Sequence, residues 1–158
     1  MNFVINRKGM GKTVKKDVLI SIKGISSIDG ESDTMELTTR GNLFTKDGKQ
    51  IICYKESEAT GFAGTTTMLE VQGDTSVVLK RKGANRSELI IEKGKRHLCH
   101  YDTGEGEIMI GVFSDSITNR LGENGGDISF KYSLDINSSL ASENEVYINV
   151  KECQKFER

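Results

Sequence analysis

Two charged side chains, Glu56 and Arg81, stand in strand-like segments where the alternation of apolar and polar residues turns them toward the apolar face. Charged groups are seldom buried unless they are paired, so these positions indicate either a structural ion pair or a binding site. Other polar residues share this inward face in neighbouring segments. The resulting candidate ligand-binding set is Tyr54, Glu56, Thr65, Thr67, Arg81, Tyr101 and Thr103.

Two interpretations of this set are open. In the first, Glu56 pairs with Arg81, and tyrosine and threonine hydroxyls complete a satisfied internal network. In the second, Arg81, Tyr54 and Tyr101 line the mouth of a pocket and hold the anionic head group of a small ligand. A guanidinium group suits that role because it binds carboxylate or phosphate through two parallel hydrogen bonds. A single β-bulge would reverse the faces and undo both interpretations.

The segment with two histidines and a cysteine, residues 97–100, is the one stretch that suggests a metal ligand set. In a strand, His97 and Cys99 point to one side and His100 to the other, so at most two of them can share an ion. The same geometry argues against a Cys99–His100 nucleophile pair. We predict no metal site, no cofactor and no catalytic residue; if the protein were an enzyme, Glu56 would be the candidate.

Residues 9–13, Gly-Met-Gly-Lys-Thr, are similar to the end of a phosphate-binding loop. The full pattern needs a glycine where Asn6 stands and a helix after the loop, whereas a strand is predicted from Val18 onward. We therefore predict no nucleotide site here.

The elements that must position the candidate set are strands with a period of two. Ile128, Phe130, Tyr132, Leu134 and Ile136 alternate with polar residues, which is typical of an antiparallel sheet with one buried face. The predicted strands are 17–25, 34–45, 49–57, 65–72, 75–82, 87–93, 96–103, 106–114, 126–137 and 144–152. The best helical candidate is short, at residues 114–121.

Short turns connect these strands. Asp47-Gly48 between two alternating runs predicts a tight hairpin, because both central residues of a type I′ turn need positive φ. A meander of about ten strands tends to close, since closure removes the exposed edges. We therefore predict an all-β fold, a single antiparallel up-and-down β-barrel of about ten strands.

The chain also resembles the YwiB-like family of bacterial proteins between about residues 20 and 151. The resemblance lies in an ordered set of short motifs: Tyr54-x-Glu56, Thr65-x-Thr67, Arg81-x-Gly83, Tyr101-x-Thr103-x-x-Gly106, and Gly126 followed by Tyr132. It implies a calycin (lipocalin-like) barrel, a family without an established function, and a small ligand held in the barrel mouth. Gly104-Glu105 departs from the bulkier pair expected before Gly106, and the basic segment before Val18 is not explained by the resemblance.

Composition limits the remaining possibilities. The chain has 158 residues, enough for one domain, with 22 basic and 23 acidic side chains and a formal net charge of -1. This balance disfavours a nucleic-acid partner. The three cysteines are far apart and odd in number, and the N-terminal residues lack the features of a secretory signal. We expect a cytoplasmic protein without membrane attachment, with a mobile basic arm at residues 1–16 and one barrel domain at 17–158; the oligomeric state is not readable.

Overall fold

The computed structural model describes residues 2–5, 12–102 and 105–153, and most of them lie in β-strands. A short 3-10 helix (Glu58–Thr60) follows the fourth strand. The strands are β1 (Asn2–Ile5), β2 (Lys12–Ile28), β3 (Glu31–Lys46), β4 (Lys49–Lys55), β5 (Thr65–Gln72), β6 (Ser76–Gly83), β7 (Ser87–Glu92), β8 (Arg96–Asp102), β9 (Glu107–Gly122), β10 (Gly125–Ile136) and β11 (Ser139–Glu152).

Strands β2 to β11 close into an antiparallel barrel. From β3 to β11 each strand pairs with the next along the chain, and both β3 and β11 pair with β2, so the sheet returns on itself. Strand β1 pairs with the first residues of β2 outside this ring. The predicted all-β, ten-stranded up-and-down barrel is confirmed. None of the described residues form a helix long and apolar enough to cross a bilayer.

Alternate connections lie at the same end of the barrel because neighbouring strands run in opposite directions. The connection between β4 and β5 therefore shares its end with those that follow β2, β6, β8 and β10. We call this the β4–β5 end. Its β4–β5 connection, residues 56–64, is long, whereas Asp47-Gly48 at the opposite end forms the predicted tight turn with φ values of 50° and 77°.

Inward-facing aliphatic side chains fill the middle of the barrel. Phe130 is the largest of the fully buried side chains and lies among branched residues from all around the ring. Strict alternation along each strand produces this core, as in β5, where every second residue from Thr65 to Val71 is buried. The inward-facing polar residues at the β4–β5 end therefore pack against this apolar core.

Residues 114–121 are strand rather than helix, which corrects the helical prediction. They belong to β9, whose residues pair with β10 from Gly111 to Gly122, and Ile117 lies opposite Phe130 in this ladder. A helix this short is marginal on its own, whereas the strand conformation pairs this segment with β10, with one register shift at Asp115, and buries Ile117.

Residues 12–16 belong to the barrel, although we assigned them to a mobile arm. Strand β2 begins at Lys12, and the Lys16 side chain is buried, with its Nζ bonded to Asn124 Oδ1 and lying 3.3 Å from Glu152 Oε2. A run of basic residues does not by itself indicate a buried strand. Lys16 is nevertheless buried, because acceptor groups of Asn124 and Glu152 surround its ammonium group. Residues 1 and 6–11 of the predicted arm lie outside the described residues.

Candidate functional site

Most of the predicted site residues lie in one row across the barrel wall at the β4–β5 end. Tyr54 on β4 is opposite Thr67 on β5, and Thr67 is opposite Arg81 on β6. The row continues through Ser87 on β7 to Tyr101 on β8. Antiparallel registers alone produce this alignment, so residues nearly fifty positions apart in sequence share one level of the barrel.

Glu56 lies just beyond the end of β4 and points into this level. Its backbone N–H donates to Thr65 O at 2.8 Å, which extends the β4–β5 pairing by one step and sets the direction of the side chain. Only 2% of the Glu56 side chain is exposed. Thr67 Oγ1 donates a hydrogen bond to Glu56 Oε2 at 2.6 Å.

Arg81 forms a long ion pair with the same carboxylate oxygen. Its Nε lies 3.8 Å from Glu56 Oε2, and 16% of its side chain is exposed. This distance is beyond the range of a hydrogen bond. One buried atom of each side chain in this pair lacks a hydrogen-bond partner: Oε1 of Glu56, which is an acceptor, and Nε of Arg81, which is a donor.

Tyr54 borders the pair, and its surroundings disfavour the loss of its phenolic proton. Burial raises the pKa of its phenol above the ordinary value of 10.0, and the negative charge of Glu56 raises the pKa further, while the positive charge of Arg81 lowers it in part. Hydrogen bonds with Thr67 and Glu56 also act on the pKa of Tyr54, so the phenol belongs to the same network as these two side chains.

Tyr132 on β10 is a site residue that the sequence analysis did not group with the others. Its alternation with Phe130 predicted an inward side chain, but nothing in the sequence placed β10 across the barrel from β6. Burial raises the pKa of Tyr132 above the ordinary value of 10.0, and the charge of Arg81 lowers that pKa in part. Tyr132 therefore lies close enough to Arg81 for an electrostatic interaction with its positive charge.

Phe62, in the connection between β4 and β5, is the second residue that was missed. Its ring covers the Arg81 guanidinium, with Cζ 4.2 Å from the ring centroid. A guanidinium group against an aromatic face is attracted by the negative potential of the ring. The only sequence signal was one aromatic residue in a short segment, Gly61-Phe62-Ala63-Gly64, that carries no strand period.

Three residues of the predicted set have other surroundings. Thr65 is buried, but its Oγ1 donates to Asn85 Oδ1 at 3.1 Å and accepts from Asn85 N at 3.2 Å, so it holds the β6–β7 connection. Tyr101 is half-buried at the far end of the row. Thr103 lies outside the described residues.

The histidines and Cys99 do not converge. His97 Nε2 lies 2.9 Å from Glu92 Oε1, and this contact lowers the pKa of the Glu92 carboxyl. Cys99 Sγ accepts a hydrogen bond from Ile90 N at 3.4 Å, while His100 is exposed on the other side of β8. Within the part of the chain that the structure describes, no group of three His, Cys, Asp or Glu side chains is arranged to hold a metal ion.

Comparison with known proteins agrees with this architecture. Residues 20–148 match the family described as Domain of unknown function (DUF1934). The chain is 24% identical over 119 residues to an uncharacterized β-barrel protein, YwiB, of Bacillus subtilis (strain 168), a match covering 75% of this chain and 82% of that protein. The crystal structure of the ywiB protein from Bacillus subtilis superposes with a TM-score of 0.79 at 20% identity, covering 94% of this chain and 99% of the other.

Proposed function

The chain belongs to the DUF1934 family of unknown function. We propose that it is a non-enzymatic β-barrel that binds a small amphipathic ligand at the β4–β5 end. The ligand presents an anionic or carbonyl acceptor to Arg81 and an O–H or N–H donor to Glu56. The resemblance to calycin barrels, which hold ligands at the barrel mouth, is consistent with this proposal.

The observation that carries the proposal is the pair of unpartnered buried atoms. Glu56 Oε1 and Arg81 Nε are removed from bulk water and have no hydrogen-bond partner. Each such group costs about 1–3 kcal/mol of desolvation, and more when it is charged. A bound molecule that donates to one and accepts from the other removes both penalties, so the site favours an occupant with both functions.

The filled middle of the barrel restricts where this ligand sits. Val71, Val77 and Phe130 are completely or almost completely buried, and they close the interior below the polar level. The polar head of the ligand therefore stays near Glu56 and Arg81, and its remaining part contacts residues 56–64 and the neighbouring connections.

The proposal is tested by native mass spectrometry of the protein purified without denaturation, followed by extraction and identification of bound molecules. We expect a reproducible small mass above that of the polypeptide, lost in Arg81→Ala. Lys82→Ala is the matched control because it removes a neighbouring, exposed basic residue of the same strand. A polypeptide mass alone, together with an unchanged melting temperature when carboxylic acids, amino acids and phosphates are added at millimolar concentration, would overturn the proposal.

A structural or protein-interaction barrel is the second candidate, and one surface favours it. Leu98, Met109 and Phe113 are exposed at neighbouring outward positions of β8 and β9. Exposed apolar residues that cluster in this way are typical of contact surfaces. Light scattering after size-exclusion chromatography, comparing the protein with Leu98→Glu, tests this candidate: a dimer that becomes a monomer would support it, and a monomer in both would not.

A further inference from the structure

We infer that the ligand of this site is an aromatic α-amino acid, whose ring takes the place of Phe62 on Arg81 while its carboxylate and ammonium groups contact Arg81 and Glu56. This inference rests on the proposed function and names the ligand class. The Phe62 ring already lies against Arg81, where the ring of the ligand would lie. The atoms that the carboxylate and ammonium groups of the ligand would contact, Arg81 Nε and Glu56 Oε1, have no hydrogen-bond partner.

The first step concerns the ring. The Arg81 Cζ atom lies 4.2 Å from the Phe62 centroid, so the guanidinium group lies over the face of the ring. Its N–H groups are hydrogen-bond donors, and Nε among them has no partner. An aromatic ligand can keep the favourable contact with the cation while its carboxylate accepts from an N–H group.

The second step concerns the connection that carries Phe62. Its hydrogen bonds are largely internal: Thr60 N and Thr60 Oγ1 donate to Ser57 O, and Gly61 N donates to Glu58 O. The connection is joined to the barrel by the hydrogen bonds from Glu56 N to Thr65 O, from Thr65 N to Phe62 O and from Ala84 N to Gly64 O. All three of these bonds involve backbone atoms. Rotation of the Phe62 side chain can therefore move the ring away from Arg81 without breaking any of them.

The third step concerns charge. Glu56 and Arg81 place one negative and one positive group side by side, with Arg81 Nε 3.8 Å from Glu56 Oε2. A zwitterion places its ammonium group on Glu56 and its carboxylate on Arg81, and it adds no net charge to a buried site. A dianionic phosphate would add two negative charges beside the Glu56 carboxylate, which is unfavourable in a region of low dielectric constant.

The test uses L-phenylalanine and three probes that each lack one element: phenethylamine without the carboxylate, 3-phenylpropionate without the ammonium group, and L-alanine without the ring. Isothermal titration calorimetry of the full chain should show L-phenylalanine binding at least about tenfold more tightly than each truncated probe, which is about 1.4 kcal/mol. Glu56→Gln and Arg81→Lys should each weaken the binding of L-phenylalanine by about tenfold or more, whereas Lys82→Ala should leave it unchanged.

Removing the internal ring provides an independent measurement. Phe62→Ala should bind L-phenylalanine about tenfold more tightly than the unchanged protein, because the competing ring is gone, and the ligand should raise the melting temperature of this variant more. Phe62→Leu, which keeps apolar volume without the ring, serves if Phe62→Ala folds poorly. Phe113→Ala removes an exposed ring on the outer face of β9 and should show neither effect.

The outcomes separate this inference from the proposed function. Equal binding of L-alanine and L-phenylalanine, or binding of 3-phenylpropionate in preference to the amino acid, would overturn the ligand class and leave the site in place. A co-purified ligand without a ring or an ammonium group would do the same. If no probe binds, no co-purified mass is found, and no carboxylic acid, amino acid or phosphate changes the melting temperature, both the inference and the proposed function are wrong.

Discussion

Thr67 Oγ1 donates a 2.6 Å hydrogen bond to Oε2 of Glu56, and this bond leaves Oε1 as the unpartnered oxygen of a buried carboxylate. The relationship is set by strand pairing, since Tyr54 is opposite Thr67 and Glu56 lies two residues further on the same face. Thr67 thus orients the carboxylate so that Oε1 is available to a donor.

Replacement of Thr67 by valine tests this role of the hydroxyl. Thr67 is completely buried, and Thr67→Val keeps the branched shape while removing the donor to a charged acceptor. We expect a loss of about 1.5–3 kcal/mol in the free energy of unfolding, measured by urea denaturation. Thr66→Val, at the neighbouring outward position, should change that free energy by less than about 0.5 kcal/mol. Equal effects of the two substitutions would contradict the assigned role.

The Glu56–Arg81 pair should show strong coupling in a double-mutant cycle. Arg81→Ala leaves the Glu56 carboxylate buried without its cation, so we expect it to lose about 3–5 kcal/mol of unfolding free energy. Adding Glu56→Gln removes the uncompensated charge and should recover part of that loss, with a coupling energy of about 1–3 kcal/mol. Additive effects measured by chemical denaturation would show that the two groups do not interact across their 3.8 Å separation.

An acid-sensitive contribution to stability is expected from Arg96 and Asp135 on the outer face. Arg96 Nε and Nη2 donate to the two carboxylate oxygens of Asp135 at 2.9 and 2.6 Å, and these bonds lower the pKa of Asp135 below its ordinary value of 3.8. The Asp135 carboxyl therefore binds a proton less readily in the folded protein than in the unfolded chain. The pair therefore contributes fully above pH 3.8, and the contribution disappears as the pH falls through the lower native pKa.

Asp135→Asn should remove this part of the pH dependence of the unfolding free energy, measured by urea denaturation at a series of acidic pH values. Asp115→Asn is the control, because it removes an exposed carboxylate of β9. This variant should keep the pH dependence of the unfolding free energy. A profile for Asp135→Asn that is parallel to that of the unchanged protein throughout the acidic range would contradict the prediction.

Gly83 is required where the β6–β7 connection meets the one between β4 and β5. Its φ is +109°, and a Cβ at this position would collide with the carbonyl oxygen of Gly64. Gly48 also has positive φ, but a Cβ there would have no atom within 4 Å. Gly48→Ala should cost about 1 kcal/mol through backbone strain alone, and Gly83→Ala about 2–4 kcal/mol. A melting temperature equally lowered in both would show that the contact with Gly64 does not matter.

How much of the site could be predicted differs from residue to residue. Alternation placed Tyr54, Glu56, Thr65, Thr67 and Arg81 on the inward face. The structure buries the first four, and Arg81 is largely buried. A period of two carries this information locally, since each side chain's face depends only on its own strand. The ligand role of these residues stays a prediction.

By itself, the sequence determined the elements that depend on near neighbours along the chain: the alternating strands, the Asp47-Gly48 turn, and the all-β class that follows from them. Tertiary structure alone decided which distant residues meet. Tyr132 comes near Arg81 because the barrel closes, Phe62 covers Arg81 because a long connection folds over one end, and Lys16 is buried because β2 begins earlier than its basic composition indicated. The physical reason is that closure and loop packing depend on the pairing of strands far apart in sequence, and a local period of two carries no record of that pairing.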